Sequence, residues 1–270
     1  MREVVRLALE EDIGPGDVTS ALCVPAGQKA RGRFLARERL VVAGLDLLRE
    51  IYDARGGVEE LKPLCRDGDH VNDGDVLASV AGNARVLLEC ERVALNFLQR
   101  LSGVATLARR FAEQVDGTNC RMLDTRKTTP GMRALEKRAA AAGGVVNHRM
   151  GLYDAVLIKN NHIAAAGGVR PAIERAQQAN VPVEVEVRTR AELAEALDAG
   201  ATHILLDNLT PEHAAEWIRE IGGRAQVELS GGITLDNVAA YARTGADFVS
   251  SGAITHSARA VDISFRLELV

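Results

Sequence analysis

The segment DTRKTTPGMR, Asp124 to Arg133, sets three cations beside two threonines in a chain whose formal net charge is −4. A solvated charge run is the ordinary reading of such a stretch. Residues further along argue for a site. Short apolar runs ending in polar residues recur: RMLDTRK, AVLIKNN, VEVEV, HILLDN, QVELSGG and FVSSG, with VVNHR a further candidate. Lys159, Glu186, Asp207, Ser230 and Gly252 mark run ends at intervals of 27, 21, 23 and 22 residues. The early runs supply cations: Arg126, Lys127, His148, Arg149 and Lys159. The middle runs supply the acids Glu186 and Asp207. The last two supply Ser230, Gly231, Gly232 and Gly252.

Each type has its own chemistry. Several arginines and lysines in one pocket recognise carboxylates, with bidentate geometry at arginine. Glycine-rich loops after the final strands of a barrel hold phosphate through backbone N–H groups. Two carboxylates beside a phosphate take Mg²⁺ or sugar hydroxyls. Taken singly, these residues read as rim charges, helix caps and turns. Taken together at matched positions, they predict a phosphorylated sugar, a divalent metal and a carboxylate-rich second substrate in one mouth.

The elements that must position them follow from the same periodicity. RAELAEALDAG, PEHAAEWIREI and LDNVAAYARTG are helical stretches between the runs. Strands alternating with helices mean βαβ units and a parallel sheet, with functional groups at the strand C-termini. A full (β/α) barrel needs about 200 residues and only about 140 remain here, so six or seven units fit. An open, incomplete barrel is expected; a doubly wound sheet is the other choice, although no GxGxxG follows a strand. Before this region lies ERVALNFLQRLSGVATLARRFAEQV, where Phe97, Leu101, Val104, Ala108, Phe111 and Val115 form one helical stripe. Arg100 falls beside that stripe, and spacing alone makes it a surface arginine. Earlier still, EDIGPGDVTS and DGDHVNDGDVLASV mix turn residues with strand-like runs. The repeated Asp-Gly lacks the spacing of an EF-hand and reads as hairpin turns. The fold class is therefore α/β: an N-terminal, sandwich-like α/β domain over 1–110, rejoined by the tail 257–270, and a barrel domain over 111–256.

The 270 residues, 47% hydrophobic and 26% charged, suffice for a large core. No stretch is broadly basic, which disfavours nucleic acid. MREVVRLALEEDIG has no apolar core of signal-peptide length, and no run approaches a membrane helix, so a soluble, cytoplasmic protein is expected. Cys23, Cys65, Cys90 and Cys120 are scattered without a CxxC and read as reduced packing residues, which also disfavours zinc.

DTRKTTPGMR, GGVVNHRMGLYDAVLIKNNHI, VEVEV, LLDN, ELSGGI and GAITHSARAVDIS occur in that order. Together they resemble the quinolinate phosphoribosyltransferases over essentially the whole chain. The resemblance implies reaction of quinolinate with phosphoribosyl pyrophosphate to give nicotinate mononucleotide, pyrophosphate and CO₂, on the route to NAD, in a homodimer. It places quinolinate on Arg126, Lys127, His148, Arg149 and Lys159. It assigns Arg100 to the neighbouring subunit's site, against the surface reading. It gives Glu186 and Asp207 the ribose and Mg²⁺ end of the donor, directly or through water or substrate. Ser230, Gly231, Gly232 and Gly252 become phosphate loops. Lys127 and Lys159 are candidate proton donors after decarboxylation. The hydroxyl of Thr128 or Thr129 either meets a substrate carboxylate or caps the next helix, and Pro130 suits a first helical turn. His162 and His256 read as structural or weak phosphate contacts. The sequence departs from the family at Met132, where Leu is usual, and at ALEKRAAAAGG, which favours helix. Two other functions compete: phosphoribosyl transfer to another acceptor such as nicotinate, a molybdenum-associated relative included, and a binding protein that retains the pocket without turnover.

Overall fold

The computed structural model describes residues 2–270. In chain order its elements are α1 (Arg2–Ile13), α2 (Val18–Cys23), β1 (Lys29–Ala36), β2 (Leu40–Val41), α3 (Leu45–Asp53), β3 (Glu60–Pro63), β4 (His70–Val71), β5 (Val76–Asn83) and α4 (Ala84–Val115). Then follow β6 (Arg121–Leu123), α5 (Arg133–Ala142), β7 (Val156–Ile158), α6 (Asn160–Ala166), α7 (Val169–Ala176), β8 (Val183–Val187) and α8 (Arg190–Asp198). The last are β9 (His203–Asp207), α9 (Pro211–Ile221), β10 (Gln226–Ser230), α10 (Val238–Ala242), β11 (Phe248–Ser250), α11 (Ala253–His256) and β12 (Ile263–Leu269). Two compact units result. The first holds the chain up to Arg109 with 129–144 and 257–270; the second holds 110–128 and 145–256.

In the first unit an antiparallel sheet runs in the order β12-β1-β5-β3. Strand β1 alternates as its sequence does: Ala30, Gly32, Phe34 and Ala36 are buried, while Lys29, Arg31 and Arg33 face water. Phe34 packs on Phe265 of β12, with ring centroids 4.8 Å apart, so the C-terminal tail closes this sheet. On α3, Leu45, Leu47, Leu48, Ile51 and Tyr52 form one buried face. The stripe from Phe97 to Val115 is buried on α4, which extends to 32 residues. Residues 129–144, expected within a continuous 111–256 domain, group instead with this unit and carry α5. Helix α5 starts at Arg133, so Pro130 lies in the preceding turn and not in a first helical turn. There Gly131 has φ 77° and the Met132 N–H donates to the Thr129 carbonyl at 3.0 Å.

In the second unit six parallel strands lie in the order β6-β11-β10-β9-β8-β7. All six strand-like runs read from the sequence are here, and VVNHR contributes a parallel bridge from Val146 to Leu123. The first strand pairs with the last, β11, which is the closure of a curling barrel; a doubly wound sheet would reverse its order midway. Among the described residues no ladder joins β7 to the Val146 bridge, so the barrel stays open there. Local chemistry sets the helix starts. The Thr189 hydroxyl accepts the Glu192 N–H at 3.1 Å while Glu192 accepts the Thr189 N–H at 3.2 Å, a capping box for α8. Thr210 caps α9, Pro211 opens it, and Gly222 ends it at φ 61°.

Candidate functional site

A parallel sheet presents its strand C-termini on one side, and alternate residues of each strand share a face. That pairs Glu184 with Glu186 on β8, Leu205 with Asp207 on β9, and Glu228 with Ser230 on β10. These ends surround a cavity of about 540 Å³. Its wall includes Arg126, Lys127, His148, Arg149 and Lys159 on the β6–β7 side, and Glu186, Asp207, Ser230, Gly231 and Gly232 on the β8–β10 side.

The cationic wall is built on buried anchors. Asp124, fully buried after β6, accepts the His148 N–H at 2.8 Å and the Asn147 side-chain amide at 2.6 Å. The buried Thr255 hydroxyl donates to the Lys127 carbonyl at 2.8 Å. A Cβ on Gly252 would stand 2.6 Å from Lys127 Cδ, so the lysine stem lies against that glycine. Arg149 Nη1 donates to the Ala155 carbonyl at 3.1 Å. Burial and, next, repulsion from Arg126 depress the Arg149 pKa, so an anion between the two guanidiniums would relieve a like-charge contact.

His148 sits between acids. Its Nε2 is 3.2 Å from both Glu184 Oε2 and Glu228 Oε2. Burial pulls the imidazole pKa down, but the two carboxylates outweigh it and hold it up at about 10. One contact works the other way: the Arg149 N–H points at His148 Nδ1 at 2.6 Å, and full protonation must break that bond. Burial raises Glu184, against the pull of His148. The ligand atoms of His148, Glu184 and Glu228 lie within 4.8 Å of one another, a spacing that would admit a metal. The two carboxylates favour the charged ring, while the Arg149 N–H favours the neutral tautomer with Nδ1 as acceptor.

On the opposite wall Glu186 is buried, and its Oε1 accepts from Arg188 Nε at 3.1 Å and Nη2 at 2.7 Å. The same Nη2 lies 3.8 Å from Asp207 Oδ2, which also accepts from Asn208 Nδ2 at 2.7 Å. Both carboxylates thus converge on one cation, and hard oxygen donors of this kind suit Mg²⁺. Gly231 and Gly232 have φ 99° and 63°. A Cβ on Gly231 would come 2.2 Å from Asn208 Oδ1, so this turn requires glycine for space and for conformation.

Residues 17–102 match the family described as quinolinate phosphoribosyl transferase, N-terminal domain, and residues 104–266 match its C-terminal domain. A probable nicotinate-nucleotide pyrophosphorylase (carboxylating) of Bacillus subtilis is 40% identical, over 96% of this chain and 90% of its own length. The chain belongs to the quinolinate phosphoribosyl transferase family. A second such relative, the nicotinate-nucleotide pyrophosphorylase (carboxylating) of Mycobacterium leprae, is 41% identical over 98% of this chain and 96% of its own. The solved nicotinate-nucleotide pyrophosphorylase of Francisella tularensis superposes with a TM-score of 0.95 at 36% identity, covering 99% of this chain and 95% of that one.

In this member of the quinolinate phosphoribosyl transferase family, ten residues singled out in the sequence line one cavity. Gly252 stands beside them through Lys127. Thr128 and Arg100 do not line it. The side chain of Arg100 keeps only 26% exposure, where spacing alone had put it on the surface. Its Nε and Nη2 donate to the fully buried Glu136 at 3.1 and 2.7 Å, and Nη1 to the Ala258 carbonyl at 2.6 Å. Thr129 also donates to Glu136, through its hydroxyl at 2.7 Å and its N–H at 3.0 Å, and does not cap α5. His162 Nδ1 accepts the Lys159 N–H at 3.0 Å at the start of α6. Sequence reasoning missed Asp124, Glu184, Arg188, Asn208 and Glu228. Period-2 alternation in VEVEV and QVELS could have flagged both glutamates, since each shares a face with a predicted site residue. Four free cysteines carry no disulfide, and no described helix is long and apolar enough to cross a membrane.

Proposed function

We propose that this chain transfers the phosphoribosyl group of phosphoribosyl pyrophosphate to the ring nitrogen of quinolinate, with loss of CO₂, to give nicotinate mononucleotide for NAD synthesis. The observation that carries this is one cavity with walls of opposite character, basic at Arg126, Lys127, Arg149 and Lys159, acidic and glycine-lined at Glu186, Asp207, Ser230, Gly231 and Gly232.

Quinolinate enters as a dianion, and burying an unpaired carboxylate costs several kcal/mol or more. The basic wall of Arg126, Lys127, Arg149 and Lys159 offsets that cost. The Ser230–Gly232 turn receives phosphate oxygens on main-chain N–H groups. Glu186 and Asp207 would hold Mg²⁺ at the donor's diphosphate end, and the bound ion would supply charge neutralisation of the leaving group. The ring nitrogen attacks the ribose carbon as its bond to diphosphate breaks, and Glu186 and Asp207 face the positive charge that develops on the sugar. Holding both substrates in line supplies much of the rate. The alkylated nitrogen is then cationic, so the adjacent carboxylate leaves as CO₂ and the ring carbon takes a proton from Lys127 or Lys159. Arg100 serves the partner's site in a homodimer, and the free thiols fit the cytoplasm as compartment.

The deciding assay supplies quinolinate, phosphoribosyl pyrophosphate and Mg²⁺. CO₂ release in step with nicotinate mononucleotide is the expected result. Product from nicotinate alone would replace this reading with another acceptor, and tight binding without product would replace it with a binding protein.

A further inference from the structure

Arg188 stands just past β8, and the reaction described above gives it no role. Its guanidinium engages the buried Glu186 twice and reaches toward Asp207. Its main chain is fixed, because the Arg188 N–H donates to Glu192 Oε2 at 2.7 Å within the capping box of α8. The side chain is not enclosed: 48% of it faces water, against 6% for Glu186. A tethered backbone with a half-solvated guanidinium can release its partner at small cost, since water already screens much of the pair. The acids cannot lose it for nothing. Two carboxylates on adjacent strands, one of them buried, repel each other, and a cation lying between them offsets that repulsion.

We infer that Arg188 is the resident counter-ion of the Glu186–Asp207 pair, competing with a divalent cation in the empty enzyme and yielding when metal arrives with the donor's diphosphate. This rests on the assignment of Glu186 and Asp207 to the metal and donor end. Free metal must expel a guanidinium to bind. Metal carried by a diphosphate brings its own oxygen ligands and an anion for the released arginine. Arg188 is thus a positioning residue that couples metal entry to donor entry.

The test measures Mn²⁺ binding by electron paramagnetic resonance, with and without phosphoribosyl pyrophosphate. Wild type should bind Mn²⁺ weakly alone and tightly with the donor. Arg188→Gln should bind Mn²⁺ alone roughly tenfold more tightly, because the competing charge is gone. Arg188→Lys, which keeps a cation, should stay near wild type. Far-UV circular dichroism checks folding, and if Arg188→Gln does not fold, Arg188→Met takes its place with the same expectation. Asp207→Asn should weaken Mn²⁺ binding in the presence of donor. If it does so while the neutral Arg188 variants bind Mn²⁺ alone no more tightly than wild type, the counter-ion role is overturned and the acid assignment stands. If Asp207→Asn changes nothing, the acid assignment itself falls.

Discussion

The carboxylate of Asp124 accepts the main-chain N–H of His148 at 2.8 Å. The two residues are distant in sequence, and this bond fixes where the His148–Arg149 pair meets the end of β6. Removing a buried acceptor strands its donors, at about 1–3 kcal/mol. Asp124→Ala should lower stability by that amount and raise the KM for quinolinate more than that for the donor. Thermal unfolding and steady-state kinetics check both; an unchanged quinolinate KM would detach this bond from the cationic wall.

His148 should titrate far above the ordinary 6.5, toward about 10, because Glu184 and Glu228 favour its charged form against burial. A raised folded-state pKa contributes stability that is fully present below pH 6.5 and lost as pH rises through about 10. Ring-proton NMR across that window reads the midpoint. Glu228→Gln should bring it down; a wild-type midpoint near 6.5 would dissolve the ion-paired cluster.

Burial and then repulsion from Arg126 disfavour the charged form of Arg149, and a bound carboxylate would offset both. Arg149→Ala should weaken quinolinate binding on the order of a hundredfold, as for a truncated partner of a buried charge pair, with donor affinity nearly intact. Calorimetry with each ligand separately decides it. Equal losses for both ligands would remove Arg149 from the diacid end.

Gly231→Ala would force a side chain into φ 99° and against Asn208. About 1–3 kcal/mol of strain is expected, with weaker donor binding. Unfolding and donor calorimetry that match wild type would show the turn to be tolerant.

Arg100 is held by Glu136 and the Ala258 carbonyl. If it serves a partner's site, mixing inactive Arg100→Ala with inactive Lys159→Ala subunits should restore part of the activity. Absence of recovery, with subunit exchange demonstrated by mass, would assign each site to a single chain.

The sequence by itself determined the order of the strands' chemistry. Apolar runs of strand length ending in Lys159, Glu186, Asp207 and Ser230 recur at nearly constant intervals, and helical periodicity between them leaves parallel pairing as the consistent arrangement. Local chemistry was legible for the same reason: the stripe on α4 and the helix that replaces the usual residues after Arg133 depend on near neighbours. Tertiary structure alone decided the partners. Asp124 with His148, His148 with Glu184 and Glu228, Arg100 with Glu136, and Arg188 with Asp207 join residues whose spacing carries no signal, because a polar side chain's partner is set by which strand ends meet in space. The same holds for 129–144, whose helix is written in its sequence but whose place in the first unit is fixed by packing.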